Sequence, residues 1–330
     1  MVASIIVSDL CKSFRVRQKK SGLSSFLLPS FVSVNAVDCI SFTAQRGERV
    51  AFVGPNGAGK STTIKILSGI LFPDSGEVTI EGLTPWKDRQ QLAYKIGTVF
   101  GQRSQMWYHL PARDSFELLS YAYEIKRNDY LARLNELVTS FNADDLIDKP
   151  VRQMSLGERM RCEIIASLLH RPSILFLDEP TVGLDVVSKS VIRDLVKKSS
   201  DQDGTTVLLT SHDTGDMERV CNRVIVIDHG KLVTDRPVAD LRLGFIKEKF
   251  VTLALRDETL QIDLAGVRVR EQKPHHLQIA IDTEKSSVEQ VLQQAMSRTG
   301  LLDITVEDPP MEDIIKAIYS GAGYNRTGRA

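Results

Sequence analysis

Short apolar runs recur along most of the chain, and stretches of mixed character separate them. Four of these runs are Arg49 to Val53, Ile174 to Leu177, Thr206 to Leu209 and Val224 to Ile227. Runs this short, without polar alternation, are typical of strands buried on both faces of a parallel sheet. Between them, apolar residues return at helical spacing, as at Leu131, Leu134, Val138 and Phe141, and at Val191, Ile192, Leu195 and Val196. Strands that alternate with helices predict an α/β fold with a mostly parallel sheet.

The pattern changes after about Leu241. Short half-buried strands are predicted at Phe250 to Leu255, Leu260 to Leu264, Val267 to Arg270 and Leu277 to Ile281. A helix is predicted over Ser286 to Ser297, with Val288, Val291, Leu292, Ala295 and Met296 on its apolar side. Asp308-Pro309-Pro310 starts a last helix that ends near Tyr319. We therefore expect a first domain at 1–240, a small α+β accessory or regulatory domain at 241–320, and a disordered tail at 321–330.

Composition narrows the class of protein without indicating a function. The chain has 330 residues with 42 basic and 42 acidic side chains, so its net charge does not favour nucleic-acid binding. The four cysteines form no CxxC pair, which indicates a reduced, cytosolic protein without a metal cluster. No apolar run approaches the about 20 residues that a membrane-spanning helix needs. Any role at a membrane is therefore expected to depend on a partner.

A glycine-rich segment follows the first apolar run. Gly54-Pro55-Asn56-Gly57-Ala58-Gly59-Lys60-Ser61 fits the phosphate-binding pattern GxxxxGK[ST], and Thr62 to Leu71 can form the helix that the motif requires. Glycines let backbone N–H groups turn toward phosphates, and the helix N-terminus adds positive potential. Lys60 is expected to reach the β- and γ-phosphates, and the Ser61 hydroxyl to bind Mg²⁺. An ordinary glycine turn is the alternative, which the flanking strand and helix disfavour.

Two carboxylates follow the run that begins at Ile174. Asp178 can hold Mg²⁺ directly or through water, and Glu179 can polarise the attacking water. Phosphoryl transfer needs little else beyond positioning and charge neutralisation. The alternative role for Asp178 is a helix cap or a salt-bridge partner, and the preceding phosphate-binding loop favours the nucleotide site.

The order of these and further motifs resembles the ATP-binding subunits of ABC transporters over about residues 5 to 240. After the phosphate-binding loop come Gln102 in Val-Phe-Gly-Gln-Arg, Ser155-Leu-Gly-Glu-Arg159, Leu177-Asp-Glu-Pro-Thr181, Gly183-Leu-Asp185 and Ser211-His212-Asp213. The Ser-Leu-Gly-Glu segment before the Asp-Glu strand is the most diagnostic, because other classes with this loop lack it. The resemblance implies a P-loop ABC ATPase fold with an antiparallel β part and a helical subdomain at about 102–170.

The resemblance also implies roles for single residues. Gln102 is similar to the residue that contacts Mg²⁺ or the attacking water, and His212 to the switch histidine at the γ-phosphate; a surface amide and a structural histidine are the alternatives. Asp185 is similar to an aspartate that communicates across a dimer interface. Phe14 resembles the aromatic that stacks on adenine, with a core phenylalanine as the alternative. The predicted catalytic residues are Glu179, His212 and Gln102, and the predicted metal ligands are Ser61, Gln102 and Asp178. The predicted nucleotide site comprises Phe14, Gly54, Pro55, Asn56, Gly57, Ala58, Gly59, Lys60, Ser61, Thr62, Ser155, Gly157 and Asp185.

Ser155 to Glu158 resembles the signature loop, usually Ser-Gly-Gly-Gln, which closes over ATP held by another subunit. Ser155 would donate to the γ-phosphate, Gly157 would allow close approach, and the following helix would direct its N-terminus at the phosphate. The sequence departs from the usual loop at Leu156 and Glu158. A glutamate beside ATP adds repulsion unless its side chain points elsewhere.

A second departure is the length of the stretch Arg15 to Val34, which begins basic and turns apolar. A loop packed on the sheet and an amphipathic contact with lipid or the membrane partner both fit this pattern.

The function implied by the resemblance is an ATPase that uses ATP and Mg²⁺ at the cytoplasmic face of the membrane. It would drive transport through separate integral-membrane permease subunits, together with a second ATP-binding subunit, expected to be an identical copy. Gly101 to Trp107, Leu184 to Val187 and Leu209 to His212 resemble the branch that exports drugs, polysaccharides and lipids. A soluble ABC-type ATPase in translation or DNA repair is the alternative. Such proteins carry two cassettes or long coiled coils, whereas this chain has one cassette and no coiled-coil heptads, and no nucleic-acid partner is expected.

Overall fold

The computed structural model describes residues 3–17, 31–101, 104–245, 248–298 and 300–319. The chain divides into two compact units, Met1–Val238 and Ala239–Ala330. The predicted tail at 321–330, the predicted site residue Gln102 and positions 18–30 of the longer stretch lie outside the described residues. The two ends of that stretch, at Arg15 to Arg17 and Phe31 to Val34, belong to two paired strands. A loop packed on the sheet would have irregular structure there.

The first unit alternates strands and helices. Its strands are β1 (Ala3–Arg17), β2 (Phe31–Gln45), β3 (Arg49–Val53), β4 (Ser75–Ile80), β5 (Ile96–Phe100), β6 (Ile174–Asp178), β7 (Thr206–Ser211), β8 (Arg223–Asp228) and β9 (Lys231–Pro237). Its helices are α1 (Lys60–Leu67), α2 (Arg89–Ala93), α3 (Ala112–Ala122), α4 (Arg127–Ser140), α5 (Leu156–Leu168), α6 (Val186–Asp203) and α7 (Thr214–Val220), and α8 (Val238–Phe245) follows at the boundary between the units. Helix α1 begins two residues before the predicted start and ends four before the predicted end. Gly69, with φ of 72°, follows its C-terminal end in a left-handed conformation that stops the helix.

The central sheet has the order β5-β6-β7-β3-β8-β9, in which the first five strands are parallel and β9 is antiparallel. Its apolar runs are buried on both faces, as their lack of polar alternation predicts. Asp178 lies opposite Thr210, and Val53 opposite Ser211, at the carboxyl ends of these strands. Because the strands are parallel, the segments that follow β3, β6 and β7 all leave from the same edge of the sheet.

A smaller antiparallel sheet, in the order β2-β1-β4, packs its apolar side into the same core as the central sheet. Strand β1 pairs with β4 only as far as Cys11, and beyond that point it continues with β2 as a two-stranded ribbon. An irregularity in pairing brings the Cα atoms of Cys11 and Cys39 to 4.7 Å, and their sulfurs are bonded. The expectation of reduced cysteines is therefore wrong for this pair, while Cys162 and Cys221 are free and buried.

The second unit is an α+β fold. Its strands β10 (Glu248–Leu255), β11 (Val267–Lys273), β12 (His276–Asp282) and β13 (Leu301–Glu307) form one antiparallel sheet in the order β11-β12-β10-β13, accompanied by α9 (Val288–Arg298) and α10 (Met311–Tyr319). Alternate residues such as Val251 and Leu253 form its core with Val291 and Ala295 of α9.

Two predictions for this unit are wrong, and one strand was missed. Leu260 to Leu264 forms no strand; its apolar residues pack into the core from irregular chain. Strand β13 was not expected, and Met296, predicted on the packed side of α9, is 68% exposed. Across the described residues, no helix is both long and apolar enough to cross a membrane.

Candidate functional site

The turn between β3 and α1 is a backbone cradle whose shape depends on three glycines. Gly59 has φ of 105°, and a Cβ there would lie 2.1 Å from the carbonyl oxygen of Ala36 in β2. A Cβ at Gly54 would lie 2.6 Å from the carbonyl oxygen of Ile227. Gly57 has φ of 84°. Gly57 is therefore required by its conformation, Gly54 by close contact with a neighbouring strand, and Gly59 by both.

Lys60 lies inside this cradle. Its side chain is only 5% exposed, and Nζ donates to the carbonyl oxygens of Gly54 at 2.7 Å and Pro55 at 3.2 Å. Nζ also lies 3.5 Å from Oε1 of Glu179. The ammonium group thus lies between the cradle and the carboxylate at the end of β6, where it can compensate phosphate charge.

Asp178 is held by two hydroxyl groups. Ser61 donates to its Oδ1 at 2.9 Å, and Thr210 donates to the same atom at 2.7 Å. The described residues contain no cluster of three or more His, Cys, Asp or Glu side chains suited to a metal. A hydroxyl and one carboxylate nevertheless suit Mg²⁺, which takes few protein ligands and completes its shell with water and phosphate oxygens.

Glu179 has a constrained backbone, and its carboxylate lies between Lys60 and His212. Its φ is 53°, and its N–H is bonded to both the hydroxyl and the carbonyl oxygen of Thr210. Oε1 faces Lys60, and Oε2 lies 3.6 Å from Nδ1 of His212. The structure therefore brings together Lys60, Ser61, Asp178, Glu179 and His212, which the sequence identified from three separate motifs.

The residues on either side of Gln102 are anchored to different elements. Gly101 donates its N–H to the carbonyl oxygen of Asp178 at 2.9 Å, and a Cβ there would lie 2.6 Å from the carbonyl oxygen of Glu179. Ser104 donates to the buried carboxylate of Glu163 on α5. Burial raises the pKa of Glu163, although the hydrogen bonds that its carboxylate accepts from Ser104 and from the Gln105 N–H oppose the shift. The chain thus passes from the strand that carries the acids to the helix that begins at the signature loop.

A buried acid that the sequence did not single out supports the switch segment. Asp216 is fully buried and accepts from Thr181 at 2.5 Å, Ser211 at 2.6 Å and Arg193 at 2.6 Å. Its carboxylate therefore ties the turn after Glu179 and the residue before His212 to helix α6. Thr210 was also missed. The available signal for Thr210 was a polar residue directly after an apolar run, and the signal for Asp216 was an acid in the first turn of a short helix.

Ser155 is the N-cap of α5 and forms a capping box with Glu158. The hydroxyl of Ser155 accepts from the N–H of Glu158, while the Glu158 carboxylate accepts from the Ser155 N–H at 2.7 Å and from Nζ of Lys149 at 2.8 Å. The Lys149 contact and the capping bond hold the pKa of Glu158 below its usual value. The Glu158 carboxylate is thus directed at its own helix end and at Lys149, an arrangement that reduces the repulsion expected beside ATP.

The segment that contains Asp185 contacts the signature loop. Asp185 caps α6 and accepts from the N–H of Ser188 at 2.9 Å and from its hydroxyl at 2.6 Å, and these bonds lower the pKa of Asp185. A Cβ at Gly157 would lie 2.6 Å from the Ser188 hydroxyl oxygen. Gly157 is therefore needed to let the first turns of α5 and α6 approach.

Phe14 lies in the β1–β2 ribbon and is 39% exposed, so the alternative of a core phenylalanine does not fit. It pairs with Val34, two residues from Ala36, whose carbonyl oxygen faces Gly59 of the cradle. The ring is exposed on a ribbon whose other strand, β2, contacts the phosphate-binding loop at Gly59.

Comparison with known proteins agrees with this geometry. A family model described as "ABC transporter" matches residues 37–182. The linearmycin resistance ATP-binding protein LnrL of Bacillus subtilis is 30% identical over 88% of this chain and 93% of its own length. The daunorubicin/doxorubicin resistance ATP-binding protein DrrA of Streptomyces peucetius is 27% identical over 92% and 94%. A dimeric, post-hydrolysis structure of the ATP-binding cassette MJ0796 with ADP and Pi has a TM-score of 0.60 at 26% identity, covering 71% of this chain and 98% of that one.

The chain belongs to the ABC transporter family, as an ATP-binding protein. It is an ATPase subunit, and the predicted family, fold class and enzyme class are confirmed. Proteins of this kind work with membrane subunits and as dimers, and the fold is shared with further solved cassettes, such as CbiO1 of Clostridium perfringens at 24% identity and a TM-score of 0.61.

Proposed function

We propose that this chain hydrolyses ATP at composite sites between two copies of itself and drives export through separate integral-membrane permease subunits. The observation that carries the proposal is the convergence of Lys60, Ser61, Asp178, Glu179 and His212 at one edge of the sheet. A second site with anion-binding character, the N-terminus of α5 at Ser155, lies on the same chain. One chain with one complete phosphate cradle and one additional anion site suits a two-fold dimer, in which each surface is used twice.

The roles of the residues follow from their chemistry. The cradle N–H groups and Lys60 bind the phosphates, and Phe14 offers a stacking face to adenine. Ser61 and Asp178 would hold Mg²⁺, whose charge would neutralise the phosphate oxygens during transfer. Glu179 polarises the attacking water, and Lys60 and His212, on either side of its carboxylate, fix its orientation. Gln102 remains a predicted contact of the metal or the water.

Ser155, Gly157 and Asp185 complete the site of the partner subunit. Gly157 packs against Ser188 of α6, and the backbone N–H groups of Leu156 and Gly157 in the first turn of α5 suit a γ-phosphate. Because Glu158 is engaged by Lys149 and its own helix end, its charge is partly compensated close to that phosphate.

Export is proposed because two relatives are named for resistance to linearmycin and to daunorubicin/doxorubicin. The ATPase would act at the cytoplasmic face of the membrane, bound to permease subunits, and without a nucleic-acid partner. The α+β unit from Ala239 is proposed as an accessory or regulatory domain, because all the candidate residues of the ATP site lie in the first unit.

The test uses Glu179→Gln, Lys60→Ala and Ser155→Arg. Glu179→Gln should lower the rate of phosphate release by about 10²-fold or more while ATP still binds, because the amide keeps the shape but cannot act as a base. Ser155→Arg should abolish turnover but retain ATP binding to its own cradle. Mixed Lys60→Ala and Ser155→Arg subunits should recover activity, since each heterodimer has one site with both lesions and one with neither. A Glu179→Gln protein with normal turnover, or a mixture as inactive as its parts, would refute the proposal.

A further inference from the structure

Arg133 of α4 is a buried cation that the proposed mechanism does not use. Its side chain is 3% exposed, and its guanidinium makes three separate contacts. Nη2 donates to Oδ2 of Asp203 at 2.5 Å, Nη1 to Oε2 of Glu136 at 3.0 Å, and Nε to the carbonyl oxygen of Leu168 at 3.4 Å. Bonds between a buried guanidinium and carboxylates are strong and directional, and a lysine cannot reproduce this fork.

Arg171 closes the cluster from the other side. Its Nη2 donates to Oε2 of Glu136 at 3.1 Å, and its Nη1 lies 3.5 Å from Oδ1 of Asp203. Two cations and two carboxylates therefore balance one another. Arg133 is the more deeply buried of the two arginines, so its removal would leave Asp203 with only the exposed Arg171.

The contacts of Arg133 fall at the ends of two particular helices. Leu168 is the last residue of α5, and Asp203 is the last residue of α6. At their opposite ends, α5 begins after Ser155 and α6 begins after Asp185, and these first turns meet at Gly157 and Ser188. The two helices that carry the predicted contacts to the partner's ATP are thus joined at both ends.

We propose that Arg133 is a positioning residue for the composite ATP site. By fixing the C-terminal ends of α5 and α6 together, it sets the relative orientation of Ser155 and Asp185. An α-helix acts as a stiff rod, and α5, with 13 residues, is about 20 Å long, so a change at one end is carried to the other. This inference rests on the proposed role of Ser155 and Asp185 across a dimer.

The experiment measures ATP-driven dimerisation in the Glu179→Gln protein by light scattering, with and without Arg133→Gln. ATP binding to the monomer should be unchanged, because Arg133 contacts no residue of the cradle. Dimerisation should need about tenfold more protein, because Ser155 and Asp185 would no longer be held in one orientation before the partner binds. In the hydrolysing protein, kcat should fall in step, and Arg133→Lys should recover only part of it.

The matched control is Arg223→Gln. The guanidinium of Arg223 also makes ion pairs, here partly buried, with both oxygens of Asp235 at 2.6 Å and with Glu48 at 3.2 Å. These contacts join β8 to β9 and to the turn between β2 and β3, and do not involve α5 or α6. This variant should lose stability without weakening dimerisation. Asp203→Asn provides a second lesion from the α6 side if Arg133→Gln folds poorly, and it should weaken dimerisation in the same way.

The outcomes separate the two proposals. If Glu179→Gln alone does not dimerise with ATP, the composite site of the proposed function is wrong. If it dimerises, and both Arg133→Gln and Asp203→Asn dimerise equally well, Arg133 has no positioning role. If Arg223→Gln weakened dimerisation as much as Arg133→Gln, the weakening would be due to a general loss of stability, and the inference would also be overturned.

Discussion

The hydroxyl group of Thr210 connects the side chain of Asp178 to the backbone of Glu179, and its removal tests whether this link organises the candidate site. The side chain is fully buried, donates to Oδ1 of Asp178 at 2.7 Å and accepts from the N–H of Glu179 at 3.0 Å. Thr210→Val keeps the shape and the preference for a strand but removes the hydroxyl. A bond to a charged acceptor is worth about 1.5–3 kcal/mol.

Thr210→Val is not expected to carry the further cost of leaving a buried hydrogen-bonding group without a partner. The N–H of Glu179 also bonds the carbonyl oxygen of Thr210 at 3.1 Å, and Asp178 keeps the Ser61 hydroxyl at 2.9 Å. We therefore expect a loss of about 2 kcal/mol in the free energy of unfolding, with little change in ATP affinity and at least a tenfold fall in turnover, because Asp178 and Glu179 are no longer held in register.

Urea unfolding followed by tryptophan fluorescence suits this measurement, because Trp86 and Trp107 both lie in the first unit. Thr210→Ser is the control: it keeps the hydroxyl and loses one methyl group, at a cost of about 1 kcal/mol. Its turnover should stay near that of the unmodified protein. If valine and serine variants were equal in both stability and turnover, the hydroxyl would have no role in organising the acids.

Three further predictions concern the cradle and one buried histidine. Lys60→Ala should weaken ATP binding itself in an equilibrium titration, because the buried cation facing the phosphates is lost; unchanged affinity would mean that the lysine does not contact the nucleotide. Gly59→Ala should abolish tight nucleotide binding and lower stability by about 1–2 kcal/mol from the left-handed conformation alone, with the contact to Ala36 added; normal ATP binding would contradict the geometry. Burial lowers the pKa of His170 from 6.5 to about 4, so between pH 6.5 and about 4 the imidazole is protonated in the unfolded chain but not in the folded one. The free energy of unfolding therefore falls as the pH drops through this range, by up to about 2 kcal/mol at pH 5. His170→Gln should reduce the difference between the free energies of unfolding measured at pH 7.5 and at pH 5. An unchanged difference would mean that other groups cause the pH dependence.

Much of the first unit could be predicted from the sequence, because its signals are local. An uninterrupted apolar run such as Ile174 to Leu177 strongly indicates a strand that is buried on both faces of the sheet. Glycines followed by Lys60 and Ser61 define a cradle by backbone conformation alone. Local alternation also predicted most strands of the second unit, but it failed at Leu260 to Leu264, where apolar residues enter the core without a strand partner. Alternation reports which residues are buried and cannot report which strands are hydrogen bonded.

The tertiary structure alone decided how distant polar groups meet. The direction of the Glu158 carboxylate depends on Lys149, the support of Asp178 depends on Thr210, and the fixed ends of α5 and α6 depend on Arg133. These contacts join residues from different elements, and nothing in a single helix or strand pattern specifies which partner a side chain will reach. The sequence by itself determined the chemistry of the ATP site and the elements that carry it. Only the packing of those elements determined their mutual orientation, because a hydrogen bond or ion pair forms only when the two partner atoms lie about 3 Å apart, with a tolerance of a few tenths of an ångström.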